Sequence, residues 1–277
     1  MIKIFRDTKG RVLIESAGEW RQVDGFSLDT LFQSSDPKSL VGQAFDRGTP
    51  VDAGSGDTWG APIGNQEVWA AGVTYYRSRE ARMEESEATG GDRFYDLVYD
   101  AERPELFMKA TAARTRGHGD KVRVRADSNW DVPEPELTLA INRAGKVFGY
   151  TVGNDMSSRD IEGANPLYLP QAKVYRGSCA IGPCLTIPDE PLPATTKITL
   201  EIERGGAEAF KGDTAIDQIK RSFEELAEFL FRENEFPNGA YLMTGTGVVP
   251  GDGFTLQSGD VIRISIDGLG TLQNAVE

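Results

Sequence analysis

Alternating apolar and polar positions dominate the second half of the chain. Ile198, Leu200 and Ile202 alternate with Lys197, Thr199 and Glu201, and Ile262, Ile264 and Ile266 repeat the pattern. A two-residue period puts such side chains on one face of a strand, so both stretches predict half-buried strands. Val122 and Val124 show the same alternation among charged neighbours. Near the N-terminus, Ile2 to Phe5 and Val12 to Ile14 flank Lys9-Gly10, which predicts a hairpin. Helical signals are fewer. They comprise short stretches around residues 28–32 and 40–45, and one amphipathic segment with Ile219, Phe223, Leu226 and Leu230 on one face.

Strands predominate without a regular alternation of strand and helix, which disfavours a doubly wound parallel sheet. The expected class is α+β, mostly β. A Gly- and Pro-rich connector from Asp52 to Asp57, continuing to Pro62-Ile63-Gly64, predicts a boundary between a small N-terminal domain, 1–64, and a larger unit, 65–277. Beyond it, Val68 to Val73 runs into a charged stretch from Tyr75 to Glu85 that reads as a helix. Ala88-Thr89-Gly90-Gly91-Asp92 follows as a mobile stretch, so the two together would make a lid if they lay near a site.

Composition narrows the function. Hydrophobic residues make up 39% and aromatics 9% of the chain, enough for a real core. A net charge of −13 argues against nucleic acid or anionic lipid as partner and favours divalent cations. No apolar run reaches membrane-spanning length and the N-terminus lacks a signal-peptide core, so a soluble cytoplasmic protein is expected. Cys179 and Cys184 are too few for a structural zinc site and read as buried thiols. His118 is the chain's single histidine and lies in a turn-like stretch, which leaves little room for a triad or a zinc protease site.

The most informative residues are three carboxylates. Glu134 and Glu136 share one side of an extended segment, and Asp155 ends the apolar stretch that begins at Val147. Taken alone, such a Glu-x-Glu pair is ordinarily a solvated face. Converging acids repel one another unless a cation lies between them, and oxygen-only ligands select Mg²⁺ or Mn²⁺ over zinc.

Read together, four segments resemble the fumarylacetoacetate hydrolase family. Glu134-x-Glu136 is similar to its first two metal ligands, and Gly149 to Asp160 to the stretch bearing the third, here Asp155. Lys173-Val174-Tyr175-Arg176-Gly177 resembles the segment that places an active-site lysine, and Thr244-Gly245-Thr246-Gly247 a late turn lining the pocket. The resemblance implies a fumarylacetoacetate-hydrolase-like mixed β-sandwich or roll as catalytic domain, a Mg²⁺ ion (with Mn²⁺ or Ca²⁺ as alternatives) and a homodimer or higher homo-oligomer.

One departure directs the reading further. Carbon–carbon hydrolases of the family carry a histidine after a Gly-x-x-Tyr motif; here Gly72-Val73-Thr74-Tyr75 is followed by Ser78 and Arg79 and no histidine. Tyr75-x-x-Ser78-Arg79 and Pro104-Glu105-Leu106-Phe107-x-Lys109 resemble instead the 2-keto-3-deoxy-D-arabinonate (pentonate) dehydratase subgroup. That resemblance implies Glu105 and Lys173 as a proton-transfer pair, and Ser78, Arg79, Thr244 and Thr246 as substrate contacts for a small 2-keto sugar acid. Glu105 read alone could simply pair with Lys109 at helical spacing, and Arg159 with Asp160 as a structural ion pair. A metal-dependent hydrolase, isomerase or decarboxylase acting on another 2-oxo acid such as an acylpyruvate is the alternative, and a non-catalytic metabolite binder the next.

Overall fold

The computed structural model describes residues 1–52, 58–77, 97–251 and 253–277. In chain order the first strands are β1 (Ile2–Arg6), β2 (Val12–Ser16), β3 (Glu19–Gln22) and β4 (Thr49–Pro50), with helices Leu28–Gln33 and Pro37–Arg47 between the last two. Then come β5 (Glu67–Gly72), β6 (Glu105–Thr111), β7 (Thr115–Arg116), β8 (Lys121–Val122), β9 (Asp131–Ile141) and β10 (Val147–Ser158). Short helices Arg159–Ala164 and Leu169–Lys173 lead to β11 (Cys179–Ile187), β12 (Lys197–Arg204) and β13 (Ala207–Ala215). The helix Phe223–Phe231 precedes β14 (Ala240–Met243), β15 (Val261–Ile266) and β16 (Gly270–Val276). The expected mostly-β class is what forms.

Two sheets carry the fold. The larger runs β4-β3-β2-β1-β11-β10-β9-β14-β5-β6, with β7 alongside β11, and the smaller runs β13-β12-β15-β16-β8. Strand β9 shows how the sequence period builds the layers. Leu137, Leu139 and Ile141 share a core with Ile198, Leu200, Ile262 and Ile264 of the smaller sheet. Each such fully buried side chain contributes about 1.5–3 kcal/mol. The residues between them, from Glu134 through Glu136 and Thr138 to Ala140, take the opposite face. At its Ala140 end that face joins a second core with Leu31, Phe32 and Val41 of the N-terminal helices.

The described residues before 65 continue this architecture. Strand β1 pairs antiparallel with β11, Ile2 opposite Ile187 and Ile4 opposite Leu185. Ile4, Ile14 and Phe32 lie in one core with Val68, Ile181 and Tyr241. The expected boundary at 64/65 coincides with the loop before β5, yet the two sides share both a sheet and a core.

The amphipathic segment differs from its expected extent. Ser222 is the N-cap, its hydroxyl accepting the Glu225 N–H at 3.1 Å, so the helix begins at Phe223 and Ile219 lies outside it. Leu226, Ala227 and Leu230 form its buried face. Among the described residues, no helix is long and apolar enough to cross a membrane.

The larger sheet is strongly curled. Lys109 of β6 forms an ion pair with Asp155 of β10, although β9, β14 and β5 intervene in the sheet. Four strand spacings would separate them by about 19 Å in a flat sheet, far beyond a lysine's reach. Strand β6 therefore folds back over β10.

A fragment comprising residues 65–277 would leave β11 without β1 and uncover the second core. It is expected to aggregate or to lose its cooperative melt, as read by size exclusion and circular dichroism. A soluble fragment with a sharp melt would establish two independently folding units.

Candidate metal centre

The site begins with strand register. Glu134 lies opposite Asp155 in the β9–β10 pair, and Glu136 opposite Gly153. Side chains directly opposite one another in a sheet share a face, so the three acids converge. Gly153 is required by what surrounds it: a Cβ there would come within 2.3 Å of Thr138 Oγ1. One oxygen from each of Glu134, Glu136 and Asp155 lies within 4.8 Å of the others, and all three residues are buried.

Buried carboxylates persist only when they are compensated. The Lys173 ammonium donates to Glu134 Oε2 at 2.6 Å and to Asp155 Oδ2 at 3.2 Å. Arg159 Nη2 lies 2.9 Å from Glu134 Oε1. Lys109, 0% exposed, pairs with the remaining Asp155 oxygen and donates to the backbone oxygens of Met156 at 2.8 Å and Lys173 at 2.6 Å. Glu136 accepts the Gly245 N–H at 2.6 Å. Burial pushes its carboxyl well above the ordinary carboxylate range, and the charges of Asp155 and Glu134 push it further. It is thus an acid with much to gain from added positive charge. An all-oxygen donor set of this kind fits a hard divalent cation.

A narrow cleft opens over the cluster, lined also by Gly72, Glu105, Phe107, Glu162 and Thr246. Gly72 faces Glu105 across β5 and β6, and a Cβ at Gly72 would fall 1.9 Å from Glu105 Oε2. The Glu105 carboxyl group therefore lies over Gly72. The Lys173 ammonium lies 5.7 Å from the centroid of the Phe107 ring. A wider groove along the helix Phe223–Phe231, lined by Lys146, Glu228 and Arg232, gathers no comparable constellation.

A profile described as fumarylacetoacetate (FAA) hydrolase C-terminal matches residues 86–277. The chain belongs to the fumarylacetoacetate hydrolase family. It is 50% identical over 216 residues to a Haloferax volcanii protein named as a probable 2-keto-3-deoxyxylonate dehydratase, covering 78% of this chain and 73% of that one. A Saccharolobus solfataricus 2-dehydro-3-deoxy-D-arabinonate dehydratase is 39% identical across 100% of this chain and 97% of its own. The solved structure of a 2-keto-3-deoxy-D-arabinonate dehydratase complexed with magnesium and 2,5-dioxopentanoate superposes with a TM-score of 0.85 at 34% identity, covering 100% of this chain and 99% of that one.

The structure gathers six of the sequence-derived residues, Glu105, Glu134, Glu136, Asp155, Lys173 and Thr246, in one cleft. Thr244 instead braces the strands: its N–H and hydroxyl both donate to Leu137 O at 3.0 Å, and its own carbonyl accepts from Thr74 Oγ1. Ser78 and Arg79 lie outside the described residues, as does most of the expected helix and lid. His118 is committed elsewhere, its Nδ1 accepting the Gln273 N–H at 3.1 Å. Both cysteines are free and buried.

Two readings of ion pairs are corrected. Residues 105–111 form a strand, so helical spacing does not apply, and Lys109 pairs with Asp155. Arg159 turns to Glu134, while Asp160 accepts from Ser128, Ser158 and the N–H groups of Asn129 and Ile161. Lys109 and Glu162 were not singled out as site residues from sequence. The alternation that puts Glu105, Phe107 and Lys109 on one face of a strand was the available signal for the first. For Glu162, it was the spacing of three from Arg159 on a helix.

Replacing Lys109 with Met should be costly, because it leaves Asp155 buried without one of its cations. A loss of about 3–5 kcal/mol is expected for breaking a buried pair, measurable by urea unfolding. A change below about 1 kcal/mol would place the pair in the range of exposed ones.

Proposed function

We propose that this chain is a Mg²⁺-dependent dehydratase that converts a 2-keto-3-deoxypentonate to 2,5-dioxopentanoate. The observation that carries the reading is the joint placement of the three-carboxylate cluster, Lys173 and Glu105 around one cleft, with the chain's single histidine engaged in structure. Glu134, Glu136 and Asp155 would hold the ion, with Mn²⁺ or Ca²⁺ as substitutes. Charge supports this: the ion pairs of Lys109, Arg159 and Lys173 go to Asp155 and Glu134, while burial and the neighbouring acids hold the Glu136 carboxyl well above the ordinary range. A divalent cation at the cluster would favour the ionised form of Glu136.

When bound, such an ion supplies Lewis-acid polarisation of a 2-keto acid's carbonyl and carboxylate oxygens. The chain's own residues then manage protons. Glu105 or Lys173 removes a proton from C3, and the other donates one to the C4 hydroxyl, which leaves as water. Proton shifts from C5 and through the resulting dienol to C3 and C4 turn the enone into 2,5-dioxopentanoate. Net change is loss of one water, and no step requires an activated nucleophilic water. The absence of a histidine at the cleft therefore fits elimination better than hydrolysis.

The names of the two relatives converge on one chemistry. Xylonate and arabinonate of the same series differ only at C2 and C3, and a 2-keto-3-deoxy acid retains neither stereocentre. Within one C4 series both names therefore describe the same substrate. A homo-oligomer is the accompanying reading, supported by the family resemblance.

Incubation with 2-keto-3-deoxy-D-arabinonate and Mg²⁺ is expected to yield 2,5-dioxopentanoate by mass, and EDTA to stop it. Silence on this substrate together with acylpyruvate cleavage would replace the dehydratase with a hydrolase. Glu136→Gln should cut metal-dependent turnover by at least about 100-fold while the melting curve stays cooperative. Full activity in that variant would remove the cluster from the mechanism.

A further inference from the structure

The cleft has two walls that the metal-binding strands do not themselves fix: Gly72 and Val73 at the end of β5, and Glu105 at the start of β6. Both are tied to one short segment, Ile219 to Arg221, immediately before the helix Phe223–Phe231. On one side, Tyr75 forms a β-bridge with Ile219, and the Lys220 N–H donates to Thr74 O at 3.0 Å. Thr74 Oγ1 continues the connection to Thr244 O at 2.6 Å, next to the Gly245 N–H that binds Glu136.

On the other side stands Arg221, whose side chain is 8% exposed. Its Nη1 donates to Glu102 O at 3.3 Å, and its Nη2 to Ala101 O at 2.6 Å and Val98 O at 3.3 Å. Its charge is met by Glu225 Oε1 at 2.6 Å, one helical turn on. Lys220 Nζ adds a bond to Tyr99 O at 2.7 Å, and Arg103 packs over the Phe229 ring. Only Arg103 and Pro104 separate the last of these carbonyls from Glu105. A guanidinium is suited to this work, since its planar fork fixes several acceptors at once where an ammonium holds them loosely.

We propose that Arg221 is a positioning residue for the dehydration: it fixes the approach to β6 and thereby holds Glu105 over Gly72. The inference rests on the role assigned to Glu105 above. Arg221 touches neither the carboxylate cluster nor Lys173 in any contact described, so its effect should separate from metal binding.

The test combines Arg221→Gln and Arg221→Lys with Glu105→Gln, each in the full chain. Turnover of the keto acid is measured alongside Mg²⁺ affinity by calorimetry without substrate. Both Arg221 variants are expected to lower kcat by about 10- to 100-fold, with Mg²⁺ affinity unchanged. In the Glu105→Gln background they should cause little further loss, because the group being positioned is already gone. Losses that multiply in the double variant, or that accompany weakened Mg²⁺ binding, would overturn the proposal in favour of a general structural role. If Glu105→Gln alone leaves turnover intact, the role of Glu105 fails, and the positioning of it with it. Should Arg221→Gln not fold, Arg221→Lys retains the charge and the same comparison decides.

Discussion

Three carboxylates on one buried sheet face cost more than any single hydrophobic contact returns, and the rest of the site follows from meeting that cost. The response is distributed along the chain: Lys109 comes from β6, Arg159 from the helix after β10, Lys173 from the end of the next helix, and the Gly245 N–H from the turn after β14. Each of these elements must be in place before the cluster is tolerable in a low-dielectric interior. Electrostatic compensation and tertiary structure are therefore the same requirement at this spot.

The arrangement also separates two tasks. The carboxylates proposed to hold the ion are set by β9 and β10, paired over a long antiparallel register in the middle of the sheet. The proposed proton-transfer groups lie on other elements, Glu105 at the start of β6 and Lys173 at the end of a short helix. A rigid scaffold for the ion, with reacting side chains brought in from outside it, is how a preorganised site limits reorganisation during catalysis.

Much of this was legible in the sequence because it depends on a two-residue period. Alternation marked strands such as β12 and β15 of the smaller sheet, and the same period joined Glu134 to Glu136 on one side of β9. Partners distant in sequence were harder. Nothing local says that Lys109 meets Asp155, because the contact depends on the curl of a whole sheet. Arg159 pairs with Glu134 and not with its neighbour Asp160 for a related reason: the more deeply buried acid takes it as a second cationic partner beside Lys173, whereas Asp160 is met by hydroxyl and backbone donors nearby. The separation drawn at residue 64 followed Gly and Pro content, which marks loops reliably but says nothing about whether a sheet continues across them.

The curl of the larger sheet has one more implication. Its terminal strand, β6, returns to lie over β10, and the cluster sits at the seam where the two meet. A species that has formed the hairpins but not yet closed this seam has the carboxylate-bearing strands without Lys109 or the Glu105 wall. Anything that binds across the seam binds only the closed form, and so draws the folding equilibrium toward it. In this molecule, completing the active site and completing the fold are one event.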